Sequence, residues 1–479
     1  MGVRHLTLAL TALGPVHVGD GGSLSKKDYY LSKDARGSVV VVLDAKGFVA
    51  ELSDNQLEKY CEFLETNSRT GLQEFLAKDE KLKAIAEKHA AYKVATKLAQ
   101  RPGGGNQFFN VATFVKDAYG YPYVPGSSVK GVIRTAVLCS LINADRERYL
   151  PLYNRDLSCN AKKRQRAGED IEREALWVEK PDRSSPDIAR DIMRYVSVSD
   201  SAPLSIDDLV YVKKYDKFSK ADDASHKHGM GNLVDYQGNE LSVYRECLKP
   251  GAFVEFKIDI NDAVDDFMPD GITLNDEGLL RIFDLQSRLY ERSFLSFFDA
   301  IGCQRNEGAS PPNDDQCRYI VQSGALEGMR CRNRAVGGTG YCNIHAEHAG
   351  EKEADSSGER RTYCHLGGGT DYSAKTIANA LFPDDAKRAV EVSRILYARF
   401  PSEVDFDLYP ELVEAIKDAG YNPRSMEAVY RYGKLKKAKN DPRHWCDCEF
   451  GVSPHTLKLG ILGEKMLTMG KCEVRVGRR

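Results

Sequence analysis

Residues 5–16 (HLTLALTALGPV) alternate apolar and polar side chains, the period of a half-buried strand. That strand feeds a glycine-rich stretch, residues 16–22 (VHVGDGG), in which Gly19 and Gly21 would let the backbone approach a ligand closely. Residues 39–44 (VVVVLD) are an unbroken apolar run and predict a buried strand. Between 54 and 97, Leu57, Tyr60, Leu64, Leu72, Phe75 and Leu76 recur at helical spacing, so this stretch is expected to be mostly helical. Residues 101–107 (RPGGGNQ) read as a flexible loop. Residues 121–125 (YPYVP) are expected to run extended, because each proline pushes the residue before it out of the helical region. Gly126-Ser127-Ser128 then offers a turn and two hydroxyls where a helix begins, with Val132, Ile133, Ala136, Val137, Leu138 and Leu141 on its apolar face.

Residues 160–174 (NAKKRQRAGEDIERE) predict a charged helix whose basic part, Lys162, Lys163, Arg164 and Arg166, either touches RNA or forms a solvated face. Strand alternation returns at 194–200 (RYVSVSD) and 209–215 (LVYVKKY), whereas residues 216–239 lack periodicity and read as a mobile loop carrying His226 and His228. This βαββαβ-like tally predicts an α+β fold of ferredoxin-like, RRM-like type for residues 1–240. The pattern restarts near Leu241, leads into AFVEFKIDI, and continues through an amphipathic helix over 277–300 with Leu280, Phe283, Leu285 and Leu289 inward. Residues 241–479 are therefore expected to form a second domain, interrupted at 302–361 by a polar segment with little that could build a core. The chain ends in a predicted strand, KCEVRV.

With 479 residues the chain exceeds one ordinary core, and 42% hydrophobic with 29% charged residues describes a soluble globular protein. No run of about 18 apolar residues suggests a membrane span, and the amino-terminal stretch lacks signal-peptide character, so no membrane partner is expected. The 12 cysteines are scattered, which points to a reducing, cytoplasmic compartment. The net charge of −2 argues against non-specific coating of nucleic acid, but leaves room for a local basic groove.

Three stretches carry candidate chemistry. Ser127, Ser128, Lys130 and Arg134 at a helix start would suit a phosphate or a row of phosphates; the alternative is a capped helix with merely solvated cations. Gly367-Gly368-Gly369, with Lys375 in the first turn of a helix expected near Ser373, is a second phosphate-cradling shape, although the P-loop spacing is absent. His17 has the chemistry of a general base, or it simply packs at a strand end. Cys317, Cys331, Cys342 and His345 form a Cys₃His set that suits tetrahedral, structural Zn²⁺, with His348, Cys303 and Cys364 as reserve ligands.

The phrases PYVPGSSVKGVIRTAVL, YRECLKPG…VEFKIDI and LGGGTDYSAKT, with the opening PVHVGDG, resemble the RAMP superfamily. Within it they are most similar to the subunit of type III-A (Csm) CRISPR effector complexes that caps the 3′ end of the guide RNA. The resemblance implies two RAMP domains and a non-catalytic role in binding guide RNA (crRNA). His17, Gly19, Gly21, Ser127, Ser128, Lys130, Arg134, Gly367, Gly368, Gly369 and Lys375 would then be the RNA-contacting residues. It further implies target RNA and neighbouring RAMP subunits as partners, with support of guide maturation and antiviral defence. The family usually carries arginine or lysine just before the LGGG loop, where this chain has His365. Two other classes compete: a metal-independent endoribonuclease using His17, and a zinc-dependent adaptor whose insert docks a guide-trimming nuclease.

Overall fold

In chain order the first strands are β1 (Val3–Ala12), β2 (Gly19–Leu24), β3 (Tyr29–Asp34), β4 (Gly37–Leu43), β5 (Ala90–Thr96), β6 (Val111–Phe114) and β7 (Val196–Val198). They continue with β8 (Leu209–Phe218), β9 (Gly238–Leu248), β10 (Phe253–Asn261), β11 (Thr362–His365), β12 (Thr456–Leu462), β13 (Lys465–Thr468) and β14 (Lys471–Arg478). The helices used below are α1 (Ala45–Glu51), α2 (Asp54–Glu65), α3 (Leu72–Leu76), α4 (Glu80–Lys88), α5 (Gly126–Ala144), α6 (Arg146–Ser158), α7 (Glu169–Leu176) and α8 (Asp276–Ser293). This computed structural model describes residues 2–35, 37–66, 70–96, 110–158, 168–177, 190–219, 238–298, 361–399, 452–454, 456–463 and 465–479.

The first alternation becomes β1, which buries Leu6, Leu8, Leu10 and Ala12. It lies at the centre of a five-stranded sheet of order β11-β14-β1-β10-β7, in which every pairing is antiparallel. Taken as β1, α5, β7, β10, α8 and β14, the chain traces a βαββαβ path with sheet order 4-1-3-2, the ferredoxin-like arrangement, to which β11 adds an edge. Residues from both ends of the chain build this sheet. The boundary expected at 240/241 falls inside β9, so the topology draws a different division from the one suggested by sequence order. Strand pairing joins residues some hundreds of positions apart, which no local pattern records.

A second, mixed sheet runs β2-β6-β9-β8-β5-β4-β3, with β12 attached along β8 and β13 paired to β12. Its β5–β8 and β6–β9 pairings are parallel. Val39, Val41 and Leu43 on one face of β4 meet Phe48, Tyr60, Phe63, Phe75 and Leu82 of α1 to α4, while Val40 and Val42 turn to the main core. The stretch 54–97 is therefore helical only as far as Lys88. It ends in β5, whose AAYKVAT sequence is drawn into the sheet by β4 and β8.

The main core joins the inner face of the five-stranded sheet (Leu8, Phe256, Ile258, Val474) to Val129, Ile133 and Val137 of α5 and to Leu279, Ile282 and Phe283 of α8. The inward stripe of α8 is Leu279, Ile282, Phe283 and Tyr290; of the expected residues Phe283 is buried, and Leu280 and Leu289 pack half-buried against core clusters. Of the region expected to loop, Asp216 to Phe218 extend β8 and Gly238 begins β9. His226 and His228, the basic residues Lys162, Lys163, Arg164 and Arg166, and all of Cys317, Cys331, Cys342 and His345 lie outside the described residues. Cys364 is buried in β11 directly across from Cys472. Among the described residues, no helix is long and apolar enough to cross a membrane.

Candidate nucleic-acid interface

Helix α5 starts at Gly126 because only glycine fits there. A Cβ would stand 2.3 Å from the Val198 carbonyl oxygen and 2.5 Å from that of Ser199. The preceding extended segment is pinned by Ser201, whose hydroxyl accepts from the Val124 N–H at 2.9 Å and whose own N–H donates to Val124. Asp200 caps the helix, accepting the Gly126 N–H at 2.7 Å. Ser127 and Ser128 thus sit within the first turn instead of capping it, and the Ser128 N–H returns to the Pro125 carbonyl at 3.0 Å. The amides of this terminus are more occupied than the sequence suggested.

Lys130 and Arg134 part company. Arg134 is held by Asp191 and, at 3.2 Å, by Glu172 of α7, so its charge is spent inside the protein. A cation with two carboxylate partners offers a phosphate less net field than an unpaired one. Lys130 is half-buried and forms no ion pair among the described residues.

The second glycine stretch follows β11. Gly367 has φ +84°, and a Cβ there would lie 2.1 Å from the His17 carbonyl oxygen. That same oxygen accepts the Gly368 N–H at 2.6 Å, closing an isolated bridge that ties the amino-terminal glycine stretch to this loop. The helix expected at Ser373 begins only at Ala378 and lasts to Leu381. Lys375 lies in the turn before it and reaches back to donate to the Gly367 carbonyl.

His17 is 4% exposed, and its Nδ1 lies 2.7 Å from the Glu246 carbonyl oxygen. Burial, opposed by that hydrogen bond and reinforced by Arg245, moves its pKa below the usual imidazole range. A neutral ring donating from Nδ1 anchors the strand end. Gly19 packs against the other nitrogen, Nε2, which would stand 2.8 Å from a Cβ there.

These pieces converge. Gly19, Ser128, Gly131, Thr135, Gly367, Gly368 and Lys375 all line one open cavity of about 520 Å³. Val18, Val132, Gln286 and His365 complete its wall; among the described residues that wall contains a lysine and no carboxylate. Gly369, φ +78°, lies just beyond, while Gly21 is exposed on β2 and does not reach the cavity wall. Ser127 is exposed on the same first turn as Ser128.

Two residues missed by sequence reasoning support the site from below. Arg245 lays its guanidinium on the glycine loop, with Nη1 3.3 Å from the Cβ position of Gly368 and Cζ 3.4 Å from that of Gly369. Its buried Nε has no hydrogen-bond partner among the described residues. Glu246 is wholly buried and accepts from Tyr92 at 2.8 Å, Tyr211 at 3.0 Å, the Phe114 N–H at 2.8 Å and Lys116 at 2.6 Å. Its neighbourhood lifts the Tyr92 hydroxyl pKa well above the phenol range, first through burial and then through the carboxylate's charge. The YREC phrase was visible in the sequence, but strand alternation alone does not say that a glutamate turns inward.

A ferredoxin-like sheet also has an outer face, and here it is mixed. Thr7, Ala9 and Thr11 of β1 are flanked by Phe253, Glu255 and Lys257 of β10 and by Glu473 and Arg475 of β14. Acids and bases nearly balance on it, and among these residues Phe253 alone could stack on a base. The glycine-walled cavity is the better anion site.

The sequence profile of the RAMP superfamily matches residues 9–306. The chain belongs to the RAMP superfamily. This RAMP protein is 25% identical over 272 residues to "CRISPR system Cms protein Csm5" of Mycobacterium tuberculosis (strain CDC 1551 / Oshkosh), an alignment covering 53% of this chain and 66% of that protein. A protein of the same description from Streptococcus thermophilus is 24% identical over 263 residues, covering 53% of this chain and 64% of the relative. The chain thus spans just under two thirds of the length of these relatives. Its fold also matches a chain in the cryo-EM structure of a Csm-crRNA-target RNA ternary complex of a type III-A CRISPR-Cas system. The TM-score is 0.53 at 16% identity, with 99% of this chain and 100% of that chain covered.

Proposed function

We propose that this RAMP protein is a non-catalytic guide-RNA-binding subunit of a type III-A CRISPR effector complex, capping its filament at the guide's 3′ end. The observation that carries this reading is the convergence of the α5 start, Gly19 of the first glycine stretch and Gly367-Gly368 of the second on one cavity, with no carboxylate among its described lining residues. Relatives described as Csm5 supply the complex in which such a site would work. Lys130, Lys375 and Arg245 supply charge to the sugar-phosphate strand, and Ser127, Ser128 and Thr135 supply hydroxyls. Such contacts hold register without reading bases, so base pairing of guide with target RNA carries the sequence information. His17 acts as a structural pin in this account, because its Nδ1 is committed to Glu246 and burial keeps the ring neutral.

In this reading the protein works inside the cell, beside neighbouring RAMP subunits, in support of guide maturation and antiviral defence. Residues 302–361 form a zinc module held by Cys317, Cys331, Cys342 and His345, which docks a further protein such as a guide-trimming nuclease. Zinc there would be structural, since four protein ligands leave no open position. Isolation of the full chain from its host tests all of this together. Guide RNA, a repeated RAMP subunit and one equivalent of zinc are expected to travel with it. A preparation that carries other proteins but no RNA would contradict the reading.

A further inference from the structure

The loop that walls the cavity also lies on a second group of cations. Residues paired directly across antiparallel strands share a face of the sheet, and so do residues two apart on one strand. Val212 pairs with Arg245, Gly460 with Lys214 and Lys458 with Asp216. Arg245 of β9, Lys214 and Asp216 of β8 and Lys458 of β12 therefore stand on one face of the second sheet. The glycine loop crosses that face. Arg245 packs against it at Gly368 and Gly369, and the Lys458 main-chain N–H donates to the Asp371 carboxyl at 2.7 Å.

The charges there do not balance. Lys458 and Lys214 share Asp216, at 2.6 and 3.5 Å. The Asp371 carboxyl is sealed in the interior and also accepts from the Tyr290 hydroxyl at 2.8 Å. Three cations thus meet two carboxyls at most, and Arg245 is paired with neither. Although half-buried, Arg245 forms no ion pair and no side-chain hydrogen bond among the described residues. Its Nε is closed to water; the unbonded Nη1 and Nη2 are not, so the fork of the guanidinium is the part that meets solvent. Burial first, then the Lys458 ammonium and more weakly Arg245, press the Lys214 pKa below the ordinary lysine range against the pull of Asp216. A half-buried guanidinium beside like charges is costly to leave unanswered, and an anion that reaches it relieves the whole group.

A guanidinium fork matches the paired oxygens of a phosphate. Lys375, which lines the cavity, donates to the Gly367 carbonyl, and Arg245 lies against Gly368, the next residue. Consecutive Cα atoms stand about 3.8 Å apart, so the two cations serve neighbouring positions along one ligand. A ligand with anions at short, regular intervals is a sugar-phosphate strand.

We propose that Arg245, with Lys214 beside it, forms a second phosphate site, which takes the phosphate next to the one that Lys375 meets, so that one RNA strand crosses the glycine loop from α5 to the face of β8 and β9. The proposal rests on the guide-binding reading and adds to it the path of the strand.

The test measures binding of the full chain to a labelled oligouridylate across a salt series, with thermal unfolding as a check on the fold. Arg245→Met keeps an apolar stem against the glycines and removes the fork. It is expected to weaken binding by about tenfold or more, the scale of a hydrogen bond to a charged group. Each phosphate contact on a single strand contributes about 0.7 to the slope of log affinity against log salt, and the slope should become shallower by that step. Arg245→Lys should recover the slope but only part of the affinity, a pattern that a merely structural role would not give. Lys375→Met is expected to flatten the slope by a similar step, and the double variant by about 1.4 in all. Lys214→Met should flatten it too, and stands in for Arg245→Met should that variant unfold. An unchanged slope in Arg245→Met, or in Lys214→Met where it stands in, overturns the proposal while leaving guide binding intact. So does a double variant whose slope is no shallower than that of Lys375→Met alone. A wild-type chain that fails to bind oligouridylate would remove the guide-binding reading itself.

Discussion

Glu246→Ala is expected to lower the stability of this protein by about 3–5 kcal/mol, the cost of removing one member of a buried charged network. The carboxylate is fully buried, and four donors converge on it from β5, β6, β8 and the segment after β6. Removing it leaves Lys116, only 15% exposed, without its counter-ion, and two tyrosine hydroxyls without their acceptor. The Tyr92 ring, 4.5 Å below the ammonium, offsets a small part of that loss. Glu246 matters to the site as well, since its main chain holds His17 and His17 holds Gly368. Urea denaturation of the two proteins provides the measurement. A difference below about 1 kcal/mol, the worth of an ordinary surface pair, would show that the network is dispensable.

Gly367→Ala is expected to damage both the fold and the binding of RNA. A side chain here faces two penalties: the left-handed backbone, worth about 1–3 kcal/mol in strain, and direct overlap with the His17 carbonyl oxygen. The loop must therefore move away from His17, breaking the Gly368 hydrogen bond and disturbing the cavity that both glycines line. RNA affinity is expected to fall by about tenfold or more, a change of about 1.4 kcal/mol. Gly21→Ala is the matched control, having φ +85° but nothing within 4 Å of the new methyl group. It should incur the backbone penalty and leave RNA affinity near that of the wild type. Equal affinities for the two variants would mean that the bridge between the glycine stretches does not shape the site.

Local pattern made much of this legible. The alternation in β1, the apolar stripe of α5, the extended YPYVP entry and the two glycine stretches are each set by neighbours in sequence, and each is found in the structure. What local pattern cannot carry is pairing at a distance. β5 was hidden in a helical stretch because its strand character comes from β4 and β8 beside it. The ferredoxin-like sheet closes through β14, which returns from the far end of the chain to lie against β1. Arg134 and Lys130 look alike on a helix face, and only Asp191 and Glu172 tell them apart. The same limit explains why the amides of both loops were expected to grip a ligand. Several of them are already answered by Asp200, Pro125 and His17. The site that remains combines glycine backbone with the hydroxyl residues Ser128 and Thr135 and the cation Lys375.

The central claim is that the α5 start and the Gly367–Gly369 loop hold one RNA strand between them. Photo-cross-linking of the full chain to a 4-thiouridine RNA, with the adducts mapped to peptides, tests this most directly. Adducts are expected on peptides containing Ser127 to Thr135 and on peptides containing Leu366 to Lys375, both suppressed by the same unlabelled RNA. Adducts confined to the outer face of the five-stranded sheet, around Phe253 and Lys257, would contradict it.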